Sequence, residues 1–333
     1  LSLIDGMMTG HVQFSIIVPV YNGAETMDDC LTALVNQDYP KEDYEIVVVN
    51  DGSTDNSAEI ASRYPVRLVN LETNQGRVIA RNAGAKAARF DTLVFNDSRV
   101  FPEPALLDKV RRRAYQPLIP DVKDYDGNKW GFSRFFYLLR RKIYKPYYPL
   151  SEGPDEFWIT PENFDQVPKG TTNLVCDRNL WLRSQPQEDD KGTNDDTRIL
   201  GSIVKSHPIL RTTSVSVEYK QRTSVNGVIR HLFERGPRFA DYYLRPGGRY
   251  RALYLVIWFL VVLTISMIAL YPVGAIVGLV FLLLLGLGVS ALYLSETVMD
   301  VAVISGCLPV VVVAFGAGIL KWQAGQIARW ARA

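Results

Sequence analysis

Several carboxylates and arginines in this 333-residue chain stand where chemistry is possible. Leu93-Val94-Phe95 is an apolar run that stops at Asn96-Asp97, which reads as a buried strand delivering a carboxylate to its C-terminal end. Ligands of open α/β sheets bind at such strand ends, and a carboxylate there can share a divalent cation with phosphate oxygens. The plainer reading is an Asp that caps the next turn. Asp51 closes a similar apolar run, Tyr44 to Val49. Asp195-Asp196 directly precedes an amphipathic helix start, Thr197 to Val204, and Glu188-Asp189-Asp190 lies in a polar, loop-like stretch. Acids at a helix start can simply cap it, or they can serve as a proton acceptor.

The elements that must position these groups alternate. Phe14–Val20 is β-rich and ends in the turn Tyr21-Asn22-Gly23. Residues 24–36 place Met27, Leu31, Leu34 and Val35 at helical spacing. The second strand leads into Asn50-Asp51-Gly52-Ser53-Thr54-Asp55, whose Gly allows a tight turn and whose Ser, Thr and Asp can cap a helix over 55–63. A third strand spans 66–71, and Asn74-Gln75-Gly76 opens an Ala-rich helix over 77–88. Such alternation predicts a parallel sheet with helices on both faces.

Ser15–Asn22, Val47–Asp55 and Asn74–Gly84 together resemble the N-terminal half of family 2 glycosyltransferases, which have the GT-A fold, a Rossmann-like nucleotide-binding sheet. The resemblance covers residues 14–100 well and 168–205 in part. It implies that Pro19, Tyr21 and Asn22 line a nucleotide pocket, that Asp51 reads base or ribose, and that Arg81 approaches the nucleotide from the third helix. It makes Asp97 the first acid of a DxD metal motif for Mn2+ or Mg2+. It places Lys169–Arg178, with Thr172 and Asn173, beneath the donor sugar. It makes Asp196 the catalytic base with Asp195 as its neighbour, and Asp189 and Asp190 the runners-up. Two residues depart from the pattern. Asn50 replaces a usual acid, and Arg99 stands where the second DxD acid would fall. An Arg cannot ligate a cation, so either Asp97 holds the metal with phosphates and water, or Arg99 partly replaces the metal by pairing with the diphosphate, or the chain is inactive.

Net charge is only +2, and the three Cys and three His show no metal-ligand spacing, which excludes a zinc site and a disulfide framework and suits a reducing compartment. No basic-then-apolar leader opens the sequence. Residues 130–148 interleave aromatic and apolar side chains, among them Trp130, Phe132, Phe135, Phe136 and Leu138, with Arg134, Arg140, Arg141, Lys142 and Lys145. That mixture suits a membrane surface, nucleic acid or an ordinary core helix with a basic face. Val228–Leu244 is amphipathic, aromatic and basic, as interfacial helices are. Residues 252–271, 273–294 and 301–320 are each long enough to cross a bilayer.

The expected organisation is therefore a cytoplasmic GT-A domain over 1–226, an amphipathic membrane-interface segment over 227–250, about three transmembrane helices over 251–321, and a tail over 322–333. The Arg-rich lead-in before the first span sets the cytoplasmic orientation. Three crossings would then place Lys321, Arg329 and Arg332 outside, against the positive-inside tendency, so the third segment is alternatively interfacial or re-entrant. The resemblance implies an inverting transferase of the cell membrane that moves a sugar from a nucleotide-sugar, a UDP-sugar, to a lipid-linked acceptor. Its partners are membrane lipids and not nucleic acid. A polyprenyl-phosphate sugar transferase is the alternative within the class, and a catalytically inactive membrane-bound assembly subunit is the alternative outside it.

Overall fold

The structure, a computed structural model, describes residues 12–113, 116–125, 130–148, 153–185, 195–222 and 224–331. They fall into two compact units.

The first unit holds β1 (Phe14–Val20), α1 (Ala24–Val35), β2 (Tyr44–Asp51), α2 (Ser57–Ser62), β3 (Arg67–Leu71), α3 (Arg77–Ala87), β4 (Thr92–Asn96), β5 (Val100–Pro102), α4 (Leu106–Arg113) and β6 (Leu118–Asp124). The next helix, α5 (Gly131–Ile143), groups with the C-terminal helices instead. The chain then returns through β7 (Glu156–Ile159), β8 (Asn173–Asp177), α6 (Arg178–Arg183), α7 (Asp195–Val204) and β9 (Ile209–Tyr219).

The strands form one sheet in the order β3-β2-β1-β4-β8-β6-β9-β5, with β7 also on β9. The first four strands are parallel, as alternation predicts. The second half is mixed, since β8 runs antiparallel to both β4 and β6, and β5 and β7 run antiparallel to β9. Strand–helix alternation is lost after β4, and the later strands enter the sheet in both directions. Side chains of β1 and β2 alternate between two apolar layers. Ile16, Val18, Ile46 and Val48 pack with Met27, Leu31, Leu34 and Leu106 on one face. Ile17, Val47 and Val49 pack with Val78, Ala80, Trp181, Ile199 and Ile203 on the other. Gly84 lets α3 approach the sheet, because a Cβ there would lie 2.3 Å from Ile17 Cγ2. Trp181 of α6 packs tilted against Phe95, ring centres 4.1 Å apart, and donates to Asn82 of α3 at 2.8 Å, which pins α3 over the end of β4.

The second unit contains α5 with α8 (Val225–Tyr243), α9 (Arg251–Leu270), α10 (Pro272–Leu294) and α11 (Val298–Trp330). The last three are each long and apolar enough to cross a membrane. So residues 130–143, expected within the N-terminal domain, group with the C-terminal helices. An amphipathic helix can turn its apolar face either way, and here Phe135 and Leu138 bury against Ala291, Leu294, Ile304 and Cys307.

Candidate active site

The ends of β1, β2 and β4 carry the site. Asn22, just past β1, adopts a positive φ of 49°, a conformation Asn tolerates better than most residues. Its Oδ1 accepts from the Thr54 amide at 2.8 Å, and its own amide donates to Ser53 Oγ at 3.0 Å. The Gly23 amide donates to Ser57 Oγ at 2.9 Å, and the Ala24 amide donates to Asp55 Oδ2 at 3.0 Å. The loops after β1 and β2 are thereby stitched together. Burial raises the Asp55 carboxyl, but the Ser57 hydroxyl and the backbone amides outweigh it and hold the group below its ordinary value. Pro19 is buried in β1 opposite Val49, and Tyr21 is half-exposed.

Asp51 is buried at the end of β2 and accepts from two amides, Gln75 N at 2.7 Å and Gly76 N at 2.9 Å. It therefore fixes the turn that launches α3. Each oxygen of a carboxylate keeps a second lone pair, so Asp51 can accept one more donor. Asn50 bridges Asn70 and the Ser53 amide, which accounts for an amide in place of an acid.

Arg81, on α3, is fully buried. Its Nη2 donates to Asp97 Oδ1 at 2.7 Å, and its Nη1 donates to Asp196 Oδ1 at 3.0 Å and to Thr171 Oγ1 at 2.6 Å. Thr171 Oγ1 in turn donates to Asp196 at 2.5 Å. Arg77, one helical turn earlier, reaches Asp196 Oδ2 at 3.3 Å and is 43% exposed. Burial alone would push the Asp196 carboxyl up. The charges of Arg77 and Arg81 and the bonds from Thr171 and Arg81 overcome that and hold it well below the usual carboxylate range. Arg81 Nε is buried with no partner among the described residues, a desolvation cost of the kind that clusters at functional sites.

The sequence-expected residues are thus brought together in part. Asp97, Arg81 and Asp196 form one connected cluster. Thr172 contributes its carbonyl to the Asp97 amide at 3.0 Å. Asn173 is buried beneath it and donates to Asn96 at 2.8 Å. Arg99 lies elsewhere, with its guanidinium on Glu25 at 2.7 Å and on the Lys220 carbonyl at 3.3 Å. Asp195 begins α7, and its side chain lies outside what the structure describes, as do Asp189 and Asp190 entirely. Sequence reasoning passed over Arg77 and Thr171. Arg77 was findable, since residues four apart on a helix share a face. Thr171 had no periodic signal.

Among the described residues no three His, Cys, Asp or Glu cluster as a metal cage. A cation held by one or two carboxylates plus substrate phosphates needs no such cage. Asp97 fits that role with Oδ2, because Arg81 occupies only Oδ1.

A Rossmann-like half-sheet that gathers an acid at the β4 end and another at a later helix start defines a GT-A architecture. The solved mannosyltransferase PcManGT from Pyrobaculum calidifontis, in complex with GDP-Man and Mn2+, has the same fold. It superposes with a TM-score of 0.55 at 20% identity over 92% of this chain and 88% of that one. The pattern of glycosyl transferase family 2 matches residues 15–159, and over that stretch the chain is similar to members of that family. Glycosyltransferase AglE of Haloferax volcanii is 39% identical over 108 residues, 31% of this chain and 36% of that protein. A Methanococcus voltae dolichyl N-acetyl-α-D-glucosaminyl phosphate 3-β-D-2,3-diacetamido-2,3-dideoxy-β-D-glucuronosyltransferase is 31% identical over 158 residues, 45% of this chain and 49% of that one. The chain spans about half or less of the length of these curated relatives.

Proposed function

We propose that the chain is an inverting glycosyltransferase that moves a sugar from a nucleotide-sugar, a UDP-sugar, to a hydroxyl of a lipid-linked acceptor. One observation carries the reading: Asp196, at the start of α7, shares a buried arginine with Asp97. Asp97 would hold a divalent cation together with the donor's phosphates, and the cation would supply positive charge to the leaving diphosphate. Asp196 takes the acceptor hydroxyl proton as the new C1–O bond forms and the bond from C1 to the diphosphate oxygen breaks; the nucleoside diphosphate leaves. A carboxylate held low by two arginines is a poor base until one is drawn away. Arg77 is the exposed one, and a diphosphate is a strong competitor for it. Pro19, Tyr21, Asn22 and Asp51 line the nucleotide end, and Thr172 and Asn173 lie under the sugar.

The lipid-linked acceptor is supported by the dolichyl phosphate in the name of the Methanococcus voltae relative and by three helices apolar enough for a membrane. The arginine-rich lead-in to α9 supports a cytoplasmic catalytic unit. The test is Asp196→Asn, with donor binding followed by calorimetry and transfer by product formation. Transfer is expected to fall about 100- to 10,000-fold, the range for a positioned general base, with donor affinity retained. Full turnover by the variant would remove Asp196 from the role.

A second reading, a membrane-bound subunit without turnover, is favoured by the pairing of both carboxylates with arginine. It predicts donor binding with no transfer in the unsubstituted protein.

A further inference from the structure

We propose that α11 does not cross the bilayer but lies along one leaflet, so that the membrane anchor is the two-helix hairpin α9–α10. The occupant of the exposed face of α11 is then the acyl and headgroup boundary of the leaflet on the side of the catalytic unit.

The partners of α11 carry the inference. Near its start, Arg134 of α5 grips Asp300 through Nε at 2.7 Å and Nη2 at 2.9 Å. Arg134 and Arg141 also reach Glu296 at 3.4 and 3.0 Å. Further along, Phe132 and Phe136 of α5 pack with Val311 and Ala314. In its second half α11 lies against α8. A Cβ on Gly236 would come within 2.8 Å of Gly318, and one on Gly318 within 2.3 Å of the Phe233 carbonyl. Phe239 meets Phe315 edge-on at 5.3 Å, and Lys321 Nζ lies 5.2 Å from the Phe233 ring centre.

Neither α5 nor α8 can occupy hydrocarbon. The first carries Arg134, Arg140, Arg141 and Lys142, and the second carries Arg230, Glu234, Arg235, Arg238 and Asp241. Charged side chains at a bilayer centre carry a large transfer cost. Both helices are joined to the catalytic unit by short connections with no apolar run long enough to cross a membrane, so both stay on its side. The contacts on α11 run from Asp300 to Lys321, a path of about 31 Å at 1.5 Å per residue. That equals the hydrocarbon thickness of about 30 Å. A helix touching interfacial partners at both ends of that path runs parallel to the surface.

The faces of α11 agree. Asp300, Ile304, Cys307, Ala314 and Gly318 form a buried stripe at intervals of three, four and seven. Met299, Val312, Val313 and Leu320 are exposed and apolar. By contrast, α9 buries nothing and α10 buries only Ala291 and Leu294, at its very end. Those two residues are all that α10 contributes to the buried cluster it shares with α11. Two crossings also return Lys321 and Arg329 to the side of Arg235 and Arg238, which removes the conflict with the positive-inside tendency.

The test uses the full chain in sealed vesicles of both orientations. The native Cys30, Cys176 and Cys307 are buried, and the unsubstituted protein gives the background. Single variants Lys86→Cys, Tyr271→Cys, Gln326→Cys and Trp330→Cys are exposed to a membrane-impermeant maleimide. Labelling at 326 and 330 is expected from the same side as at 86 and from the side opposite to 271. Labelling of 326 and 330 together with 271 overturns the proposal. Nitroxides at Met299→Cys, Gly306→Cys, Val313→Cys and Leu320→Cys are then read for depth by power saturation; a Cβ at Gly306 meets nothing within 4 Å. A span would spread these sites over about 31 Å, whereas an in-plane helix keeps them within about 5 Å, less than one helical turn. A profile deepest at mid-helix overturns the proposal even with same-side labelling, because it describes a re-entrant segment.

Discussion

Each unit is built around an arginine that grips two carboxylates, and the two arginines are used differently. Arg134 meets Asp300 and Glu296. Asp300 is also bound by the amides of Glu296 and Thr297, and it closes a capping box with Thr297. Both its oxygens are taken, so the cluster is a clamp at the start of α11. Arg81 meets Asp97 and Asp196 from deeper burial. There, among the described residues, the Asp97 Oδ2 is the edge left for a ligand, and the Asp196 Oδ2 faces the partly exposed Arg77. A saturated carboxylate holds structure, and one with a spare edge can do chemistry.

That contrast can be broken by removing each arginine. Arg81→Met removes the fully buried cation from two partly buried carboxylates, leaving Asp196 with Arg77 and Thr171, and should cost the catalytic unit about 3–5 kcal/mol, the range for breaking one side of a buried pair. Denaturant melts checked against donor binding would show it, and an unchanged midpoint would mean the cluster is solvated. Arg134→Met should cost less, about 1.5–3 kcal/mol for charge-assisted bonds, seen as a lower melting temperature in detergent with nucleotide affinity unchanged. Arg99→Ala sharpens the comparison further. Its partner Glu25 is largely exposed, so the loss should be about 0.2–1 kcal/mol of stability. A drop in diphosphate affinity beyond that would mean Arg99 turns toward the donor when it binds.

A further test concerns pH. The folded Asp196 carboxyl lies below its unfolded value of about 3.9. Its stabilising contribution is therefore complete above that value and is lost as pH falls through the lower, folded one. Stability curves of the parent protein and Asp196→Asn should run parallel above about pH 5 and converge only in strong acid. A separation that changes between pH 6 and 8 would place another titrating group in the cluster.

Much of this was legible before any coordinates. Strand–helix alternation gave β1 to β4, because a buried parallel strand is a continuous apolar run and its crossover helix is periodic. Asp97 and Asp196 were visible at a strand end and a helix start. Their union through Arg81 was not. The contacts join residues 16 and 115 positions apart, and tertiary packing alone sets them. Periodicity also fails to say which surface an amphipathic helix covers, which is why α5 was assigned by sequence position to the catalytic domain and belongs by packing with the C-terminal helices. The reversed strand β8 escaped for a related reason: Asn173-Leu174-Val175-Cys176 reads the same in either direction.

The stitching of the loops after β1 and β2 has a further consequence. Four hydrogen bonds from Asn22, Gly23, Ala24 and Thr54 immobilise both loops in the absence of any ligand. Fixing a backbone residue costs about 1–2 kcal/mol of conformational entropy, and for these residues that cost is met when the chain folds. A molecule seated against Pro19 and Asn22 meets a rigid floor rather than one it must order, so its affinity is not spent on freezing the chain.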